Sequence, residues 1–180
     1  MKIVNRYAGF LRLALLVCLP GMVGCASMFG RNKVEQTTKV ETISDVPELT
    51  SAEREQRFRE ATNGGARLVE QGQYGLALGA FEEAASLKPD SIEALFNLGA
   101  CYENIGDPMK AISIYRCVLE IVPEDADCYV NLGTSYIKLY HRENSPIWRR
   151  LARKSWERSL QLNPDQPDVK KYLAMTESPD

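Results

Sequence analysis

The chain has 180 residues and a formal net charge of −2 at pH 7, with 22 basic residues against 24 acidic ones. A charge on the acidic side of neutral argues against a nucleic-acid partner, because such binding depends on an excess of basic residues. The sequence has a single histidine and lacks GxSxG, HExxH and phosphate-binding glycine motifs, so it offers no recognisable hydrolase, metalloprotease or nucleotide site.

Residues 1–24 have the pattern of an export signal. Three basic residues and no acid accompany an apolar run at residues 13–23, which Pro20 interrupts. A membrane-spanning helix needs about 20 apolar residues, roughly twice the length of this run. We therefore predict that the segment is cleaved. Loss of its three basic residues lowers the net charge from −2 to −5.

The export segment ends in Gly24 and Cys25, and residues 19–25 resemble the lipobox of bacterial lipoproteins. In that family the cysteine is acylated, for example with palmitate, and becomes the mature N-terminus. The resemblance therefore implies that Cys25 anchors the protein to a membrane through its lipid chains. Met22 departs from the family's usual leucine, and Ala26 implies, in a Gram-negative organism, the periplasmic face of the outer membrane. An ordinary cleaved signal or an uncleaved anchor is the alternative.

After Cys25, residues 25–50 are mostly polar and show neither helical periodicity nor sustained alternation. We predict that they form a flexible tether between the anchor and a folded body. A threonine at position 50 and a glutamate at position 53 make a capping box, which predicts a helix start there. The folded domain is thus expected at residues 51–180.

Internal repetition is the strongest pattern in that domain. Three prolines align repeats at residues 58–91, 92–125 and 126–166, the last of them seven residues longer. The copies share glycine at one position, small residues at a second and aromatic residues at others. The matching residues include Gly65, Gly99 and Gly133, then Ala77, Ala111 and Ala152, then Phe81, Tyr115 and Trp156.

This repeated pattern resembles the tetratricopeptide repeat. The resemblance implies an all-α, right-handed superhelical solenoid of about three helix hairpins. Val169, Tyr172 and Leu173 have helical spacing after the last repeat, so residues 167–178 are predicted to form a polar capping helix. Within each hairpin, the glycines and alanines should let the two backbones approach closely while aromatic rings fill the remaining gaps.

Turn residues support the hairpin prediction. Gly72 and Gly106 should end first helices in a left-handed conformation. Asp107 with Pro108, and likewise Ser145 with its following proline, should begin second helices. Asp90 is expected to open the helix of the second repeat. The seven-residue insertion, around residues 141–148, should map to a loop, as insertions in repeats often do on the binding face.

In tetratricopeptide proteins the first helices line a concave groove. The positions that the resemblance implies for partner binding are Arg59, Thr62, Ala66, Val69, Glu70, Glu93, Phe96, Ala100, Glu103, Asn104, Asp127, Val130, Thr134, Ile137 and Lys138. Their mixture of apolar and charged groups suits a peptide or an amphipathic helix of a protein partner. Ordinary solvent exposure is the alternative for each of them, although several exposed apolar side chains together need a reason.

Some family members grip a terminal carboxylate through paired basic and asparagine residues in the groove. Asn97 and Asn131 match that arrangement, whereas Thr62 and Ala66 occupy positions where lysine and asparagine would be needed. The resemblance therefore implies an incomplete carboxylate clamp and disfavours co-chaperone behaviour.

Two further features leave alternatives open. The second helix of the long repeat is basic and could face an anionic lipid surface, an acidic partner or simply water. The residues are Arg149, Arg150, Arg153, Lys154 and Arg158. Cys101, Cys117 and Cys128 are expected to be small core groups, with one disulfide possible but not deducible.

Taken together, the sequence predicts a non-catalytic, lipid-anchored interaction scaffold without cofactor, metal or small-molecule substrate. One version is an assembly factor for a pilus or secretion complex, and the alternative is an adaptor for an enzyme that remodels the cell wall. A cysteine-dependent enzyme that uses His141 is the less favoured class.

Overall fold

The computed structural model describes residues 49–176, and within this range all regular secondary structure is α-helical. The helices are α1 (Ser51–Glu70), α2 (Tyr74–Leu87), α3 (Ile92–Asn104), α4 (Pro108–Ile121), α5 (Ala126–Glu143), α6 (Pro146–Leu162) and α7 (Pro167–Met175). The predicted all-α class is confirmed. The predicted export signal, the predicted acylation site at Cys25 and the predicted tether up to residue 48 lie outside the described residues.

The helices pair into three hairpins, α1 with α2, α3 with α4 and α5 with α6. Neighbouring hairpins pack through α2 against α3 and α4 against α5, and α7 packs on α6. The first helices of successive hairpins are also adjacent, α1 to α3 and α3 to α5. This order is that of a helical-repeat solenoid, in which each hairpin buries its apolar side against the next.

Glycine on each first helix accommodates an aromatic ring from the second helix. A Cβ atom on Gly65 would lie 2.8 Å from Phe81 Cζ, and one on Gly99 would lie 2.7 Å from Tyr115 Cε1. On Gly133 it would meet the ring of Trp156, whose Nε1 donates a hydrogen bond to a backbone carbonyl of α5. The two helices of each hairpin therefore approach closely, as predicted, and an aromatic ring fills the space beside the glycine. In each repeat this ring comes one turn after the repeated alanine.

The turn predictions are mostly confirmed. Thr50 and Glu53 form a reciprocal capping box at the start of α1. Gly72 and Gly106 have φ angles of 70° and 87°, which favour glycine because a side chain is strained there. Asp107 Oδ1 accepts the backbone N–H of residue 110 and so caps α4, whose first residue is a proline.

Two details of the turns differ from the prediction. The helix α3 is capped by Ser91 and not by Asp90, since Ser91 Oγ accepts a hydrogen bond from Ala94 N at 3.2 Å. Ser145 occupies the N-cap position of α6, but its hydroxyl makes no capping hydrogen bond.

The insertion in the third repeat forms helix and not a loop. Helix α5 has 18 residues where α3 has 13, and α6 has 17 where α4 has 14. Only Asn144 and Ser145 connect the two long helices. Asn144 has a φ of 49° and ends α5 in the left-handed conformation that glycine supplies in the other two hairpins. The predicted loop is therefore wrong, because the inserted residues continue the helical hydrogen bonding.

The last helix closes the array with an apolar cluster. Ala152, Trp156 and Val169 are buried there, and the side chains packed against them are Val130, Tyr136, Ile137, Leu160 and Leu173. Helix α7 therefore covers the open side of the third hairpin, as a capping helix does. None of the helices between residues 49 and 176 is long and apolar enough to cross a membrane.

Candidate functional site

The candidate site is the surface formed by the first helices, α1, α3 and α5, together with α7. Most of the predicted partner-binding residues are at least partly accessible on it. Exposed positions are Arg59, Ala66, Glu70, Glu93, Asn104, Asp127 and Lys138. Half-buried positions are Val69, Phe96, Ala100, Glu103, Val130, Thr134 and Ile137. The sequence pattern thus placed nearly all of these residues where a ligand could reach them.

Thr62 is the exception among the predicted groove residues. Its side chain is buried, and its hydroxyl donates a hydrogen bond to the Phe58 carbonyl at 2.8 Å. A threonine hydroxyl one turn after its acceptor commonly bonds back to the helix in this way. Thr62 is therefore a packing residue of α1, and the expectation that it contacts a partner is corrected.

Glu103 and Lys138 form an ion pair that connects the first helices α3 and α5. Lys138 Nζ lies 2.8 Å from Glu103 Oε1 and 3.3 Å from the Glu103 carbonyl. Tyr115 also donates a long hydrogen bond to Glu103, at 3.4 Å. Burial, reinforced by the Glu103 carboxylate, raises the pKa of Tyr115 well above its usual value. These two predicted groove residues stabilise the packing of α3 on α5.

Asn97, one of the two residues that match a carboxylate clamp, and the basic residue Arg59 of the groove are both engaged in contacts within the fold. Asn97 Nδ2 donates to the Glu93 carbonyl within α3, at 2.9 Å. Arg59 Nε lies 3.1 Å from Glu55 Oε1. Glu55 also pairs with Lys88, and hydrogen bonds from Lys88 and then Arg59 hold the pKa of Glu55 below its usual value. The groove therefore lacks the concentrated positive charge that a terminal carboxylate would need.

A cavity of about 540 Å³ opens between α3, α5 and α7, and we name it the acidic cavity. It is lined by Phe96, Asp127, Val130, Asn131, Gln166, Pro167, Asp168, Val169 and Tyr172. Three of these residues were predicted groove positions. The sequence predicted only a capping role for α7, although the helical spacing of Val169 and Tyr172 already indicated that one face of this helix is apolar.

A second cavity, of about 430 Å³, lies between α5, α6 and the C-terminal part of α7, and we name it the aromatic cavity. It is lined by Thr134, Ile137, Tyr140, His141, Arg149, Trp156, Tyr172, Met175 and Thr176. Tyr172 borders both cavities, so they form neighbouring parts of one surface. The extra turn at the C-terminal end of α5 contributes to this second cavity, since Tyr140 and His141 come from it.

A third depression, of about 520 Å³, is lined by α1 among the residues that the structure describes. Its lining residues are Glu60, Asn63, Ala66, Arg67 and Glu70, among them two predicted groove positions. Because it offers no large apolar side chain, it lacks the anchoring contacts that ligand sites usually have. The apolar part of the candidate site therefore lies at the third hairpin and α7.

Two buried thiols lie in surroundings that disfavour the nucleophilic thiolate form. Cys101 and Cys128 are free and fully buried, and burial raises the pKa of Cys101 to about 11 and that of Cys128 to about 12. Both are neutral thiols at pH 7, whereas the thiolate is the reactive form. No group of three potential metal ligands occurs within residues 49–176.

The fold and this surface define a helical-repeat domain with an accessible inner face. Family profiles agree with that class. The profile described as "TPR repeat" matches residues 65–106, and "Tetratricopeptide repeat" matches residues 92–125. The chain belongs to the tetratricopeptide repeat family.

Two similar proteins from cyanobacteria share one name. The chain is 30% identical over 116 residues to the photosystem I assembly protein Ycf3 of Synechococcus sp. (strain CC9605), which covers 58% of this chain and 67% of that protein. It is 26% identical over 141 residues to the same-named protein of Acaryochloris marina (strain MBIC 11017), covering 71% of this chain and 82% of that protein.

A similar solved structure is the second TPR domain of human RPAP3 in complex with the HSP70 peptide SGPTIEEVD. Its TM-score is 0.62, its sequence identity is 13%, and the match covers 70% of this chain and 99% of that one. At this identity the similarity establishes the shared fold, and the peptide is a ligand of the RPAP3 domain.

Proposed function

We propose that the protein is a non-catalytic scaffold that holds a segment of a partner protein on its inner face and acts as an assembly factor. The observation that carries this proposal is the acidic cavity, whose apolar side chains lie on the surface formed by the first helices. Phe96 and Tyr172 remain accessible there although they are large apolar residues. Exposed apolar surface of this kind typically marks an interaction site.

Two comparisons support the proposal. The cyanobacterial relatives are named as assembly proteins, which favours a role in building a complex over a role in signalling or catalysis. The RPAP3 domain holds a peptide on the same fold. The complex that this protein would help to assemble is, in our proposal, a pilus or secretion machine of the bacterial envelope. An adaptor for a cell-wall remodelling enzyme is the second candidate.

The proposed location follows from the N-terminal sequence alone. The lipobox resemblance at Cys25 supports a lipid anchor on the periplasmic face of an outer membrane. A tether at residues 25–50 would let the repeat domain reach a partner some distance from the bilayer. In this arrangement the membrane would fix the scaffold where envelope complexes are built.

Site-specific photo-crosslinking in cells tests the scaffold proposal. A photoreactive phenylalanine analogue replaces Thr134, which lines the aromatic cavity, or Arg116, which is exposed on the outer helix α4. We expect one discrete crosslinked protein from position 134 and none from position 116, with the product identified by mass spectrometry. Equal crosslinking from both positions, or none from position 134, would contradict the proposal.

A further inference from the structure

The acidic cavity has a charge that distinguishes among partner segments. We propose that it selects a cationic segment, in which a lysine or arginine side chain lies at Asp127 and Asp168 beside an apolar side chain seated on Phe96 and Tyr172. This inference rests on the proposed function, since it names the chemistry of the segment that the scaffold holds.

The two carboxylates lie on helix starts that meet at the same edge of the surface. Asp127 is the second residue of α5, and Asp168 is the second residue of α7. Both line the acidic cavity, and both are exposed. The partial positive charge of a helix N-terminus stabilises an acid in the first turn, but it amounts to only about half a unit charge and leaves net negative charge at the cavity.

Neither carboxylate is neutralised by a neighbour in the described part of the chain. The side chains of Asp127 and Asp168 have no ion pair or hydrogen bond with residues 49–176, whereas Glu103 and Glu55 are both paired. The described residues that line the acidic cavity include no lysine, arginine or histidine. A cation from a partner would therefore find two acceptors that no lysine or arginine in this range already occupies.

A buried hydrogen-bond network holds the two helix starts together. Ser159 is fully buried on α6, and its hydroxyl donates to the Ala126 carbonyl at 2.8 Å. Gln166 Nε2 donates to Ser159 Oγ at 2.9 Å and to the Asn163 carbonyl at 2.8 Å. Ala126 precedes Asp127, and Gln166 lies two residues before Asp168. The network therefore fixes both acids before a ligand arrives, which reduces the ordering cost of binding.

The apolar floor of the acidic cavity is also held in place. The Phe96 ring packs edge-on against Tyr115, with ring centroids 5.8 Å apart. Tyr172 packs against Trp156 at 5.4 Å between centroids. Aromatic faces beside carboxylates attract cationic side chains and also accommodate the aliphatic part of lysine or arginine. An aliphatic neighbour in the partner segment would rest on Val130, which lines the same cavity.

The same charges disfavour an acidic ligand. The peptide SGPTIEEVD, which the RPAP3 domain holds, has two glutamates and a C-terminal aspartate. Here the corresponding kind of peptide would bring like charges to Asp127 and Asp168, and like-charge contacts at an interface are costly. The two proteins would thus share a fold, but the acidic cavity would prefer a cationic segment where the RPAP3 domain holds an acidic peptide.

A random peptide display library of about ten variable residues, selected against the full-length protein, tests the inference. We expect the enriched peptides to carry lysine or arginine beside a large apolar residue. The double variant Asp127→Asn/Asp168→Asn should lose this enrichment, and its affinity for a selected peptide should fall about tenfold, as expected for the loss of two partly exposed ion pairs.

The matched control is Glu120→Gln/Glu124→Gln, which removes the same charge from exposed positions at and beyond the end of the outer helix α4. It should keep both the enrichment and the affinity within about twofold, and circular dichroism should show both double variants folded. Enrichment of acidic or uncharged peptides, or equal losses in the two double variants, would overturn the charge selection while leaving the scaffold proposal standing. Absence of any enriched peptide would contradict both.

Discussion

Gly64 and Gly65 are neighbours on α1, yet their surroundings are opposite. A Cβ atom on Gly64 would meet nothing within 4 Å, whereas one on Gly65 would lie 2.8 Å from Phe81 Cζ. Phe81 is fully buried, so its ring cannot move out into solvent without losing its packing. Glycine costs stability inside a helix. At position 65 the missing side chain makes room for the Phe81 ring, whereas at position 64 no such contact offsets the cost.

We predict opposite stability changes for alanine at these two positions. Gly65→Ala should lower the free energy of unfolding by about 1–2 kcal/mol, because overpacking against Phe81 outweighs the gain in helix propensity. Gly64→Ala is the matched control and should raise it by about 0.5–1 kcal/mol. Urea denaturation followed by circular dichroism measures both. Equal stabilisation by the two substitutions would show that Gly65 is not a packing position.

At the same residue scale, several polar residues of the groove are engaged within the fold. Thr62 bonds to its own helix, and Glu103 pairs with Lys138 across two helices. Position in the repeat predicted an accessible face for nearly all of the groove residues, with Thr62 as the exception. It could not predict the bonds, because the partner of Glu103 comes from a different repeat and is brought close only by the stacking of hairpins.

Among the helices, the third hairpin departs most from the repeat. Its helices continue through the inserted residues, and Asn144 reverses the chain with a φ of 49°. The backbone N–H of Asn144 donates to the Tyr140 carbonyl at 2.7 Å. Asparagine adopts this conformation more readily than other non-glycine residues, so it permits a two-residue connection between long helices. The extra turn of α5 contributes to the aromatic cavity.

Substitution of Asn144 tests whether the left-handed conformation of this residue sets the stability of the connection. Asn144→Ala should lower the free energy of unfolding by about 1 kcal/mol, since a Cβ without a compensating polar group is strained at positive φ. Asn144→Gly should leave it unchanged within about 0.5 kcal/mol, because glycine adopts the same conformation freely. Thermal unfolding measures both variants. A loss with glycine as large as with alanine would mean that the asparagine side chain itself is required.

Considered as a whole molecule, the protein combines a repeat domain with an N-terminal segment that carries the proposed anchor. Two acyl chains on one cysteine would hold the protein stably at a bilayer, because each buried methylene contributes about 0.8 kcal/mol. The helices of residues 49–176 include none suited to span a membrane. Membrane association through Cys25 is therefore a separate prediction that the repeat domain does not determine.

Cys25→Ser should release the protein from the membrane fraction, because serine does not provide the thiol that is acylated. Cys18→Ser, in the predicted export signal, is the matched control and should leave the protein membrane-bound. Ultracentrifugation of lysed cells followed by immunoblotting measures the distribution. If the Cys25→Ser protein still sediments fully with membranes, acylation at this position is refuted.

The sequence by itself determined the helices, the hairpin order and the face of each first helix, because the spacing of glycine, alanine and aromatic residues is local and repeats. Tertiary structure alone decided what that face can bind. Asp127 and Asp168 are 41 residues apart in the chain. They border one cavity because α7 packs beside the third hairpin and the buried Ser159 joins the two helix starts. Contacts between helices distant in sequence leave no periodic pattern, so the charge of the site emerged only once the hairpins were stacked.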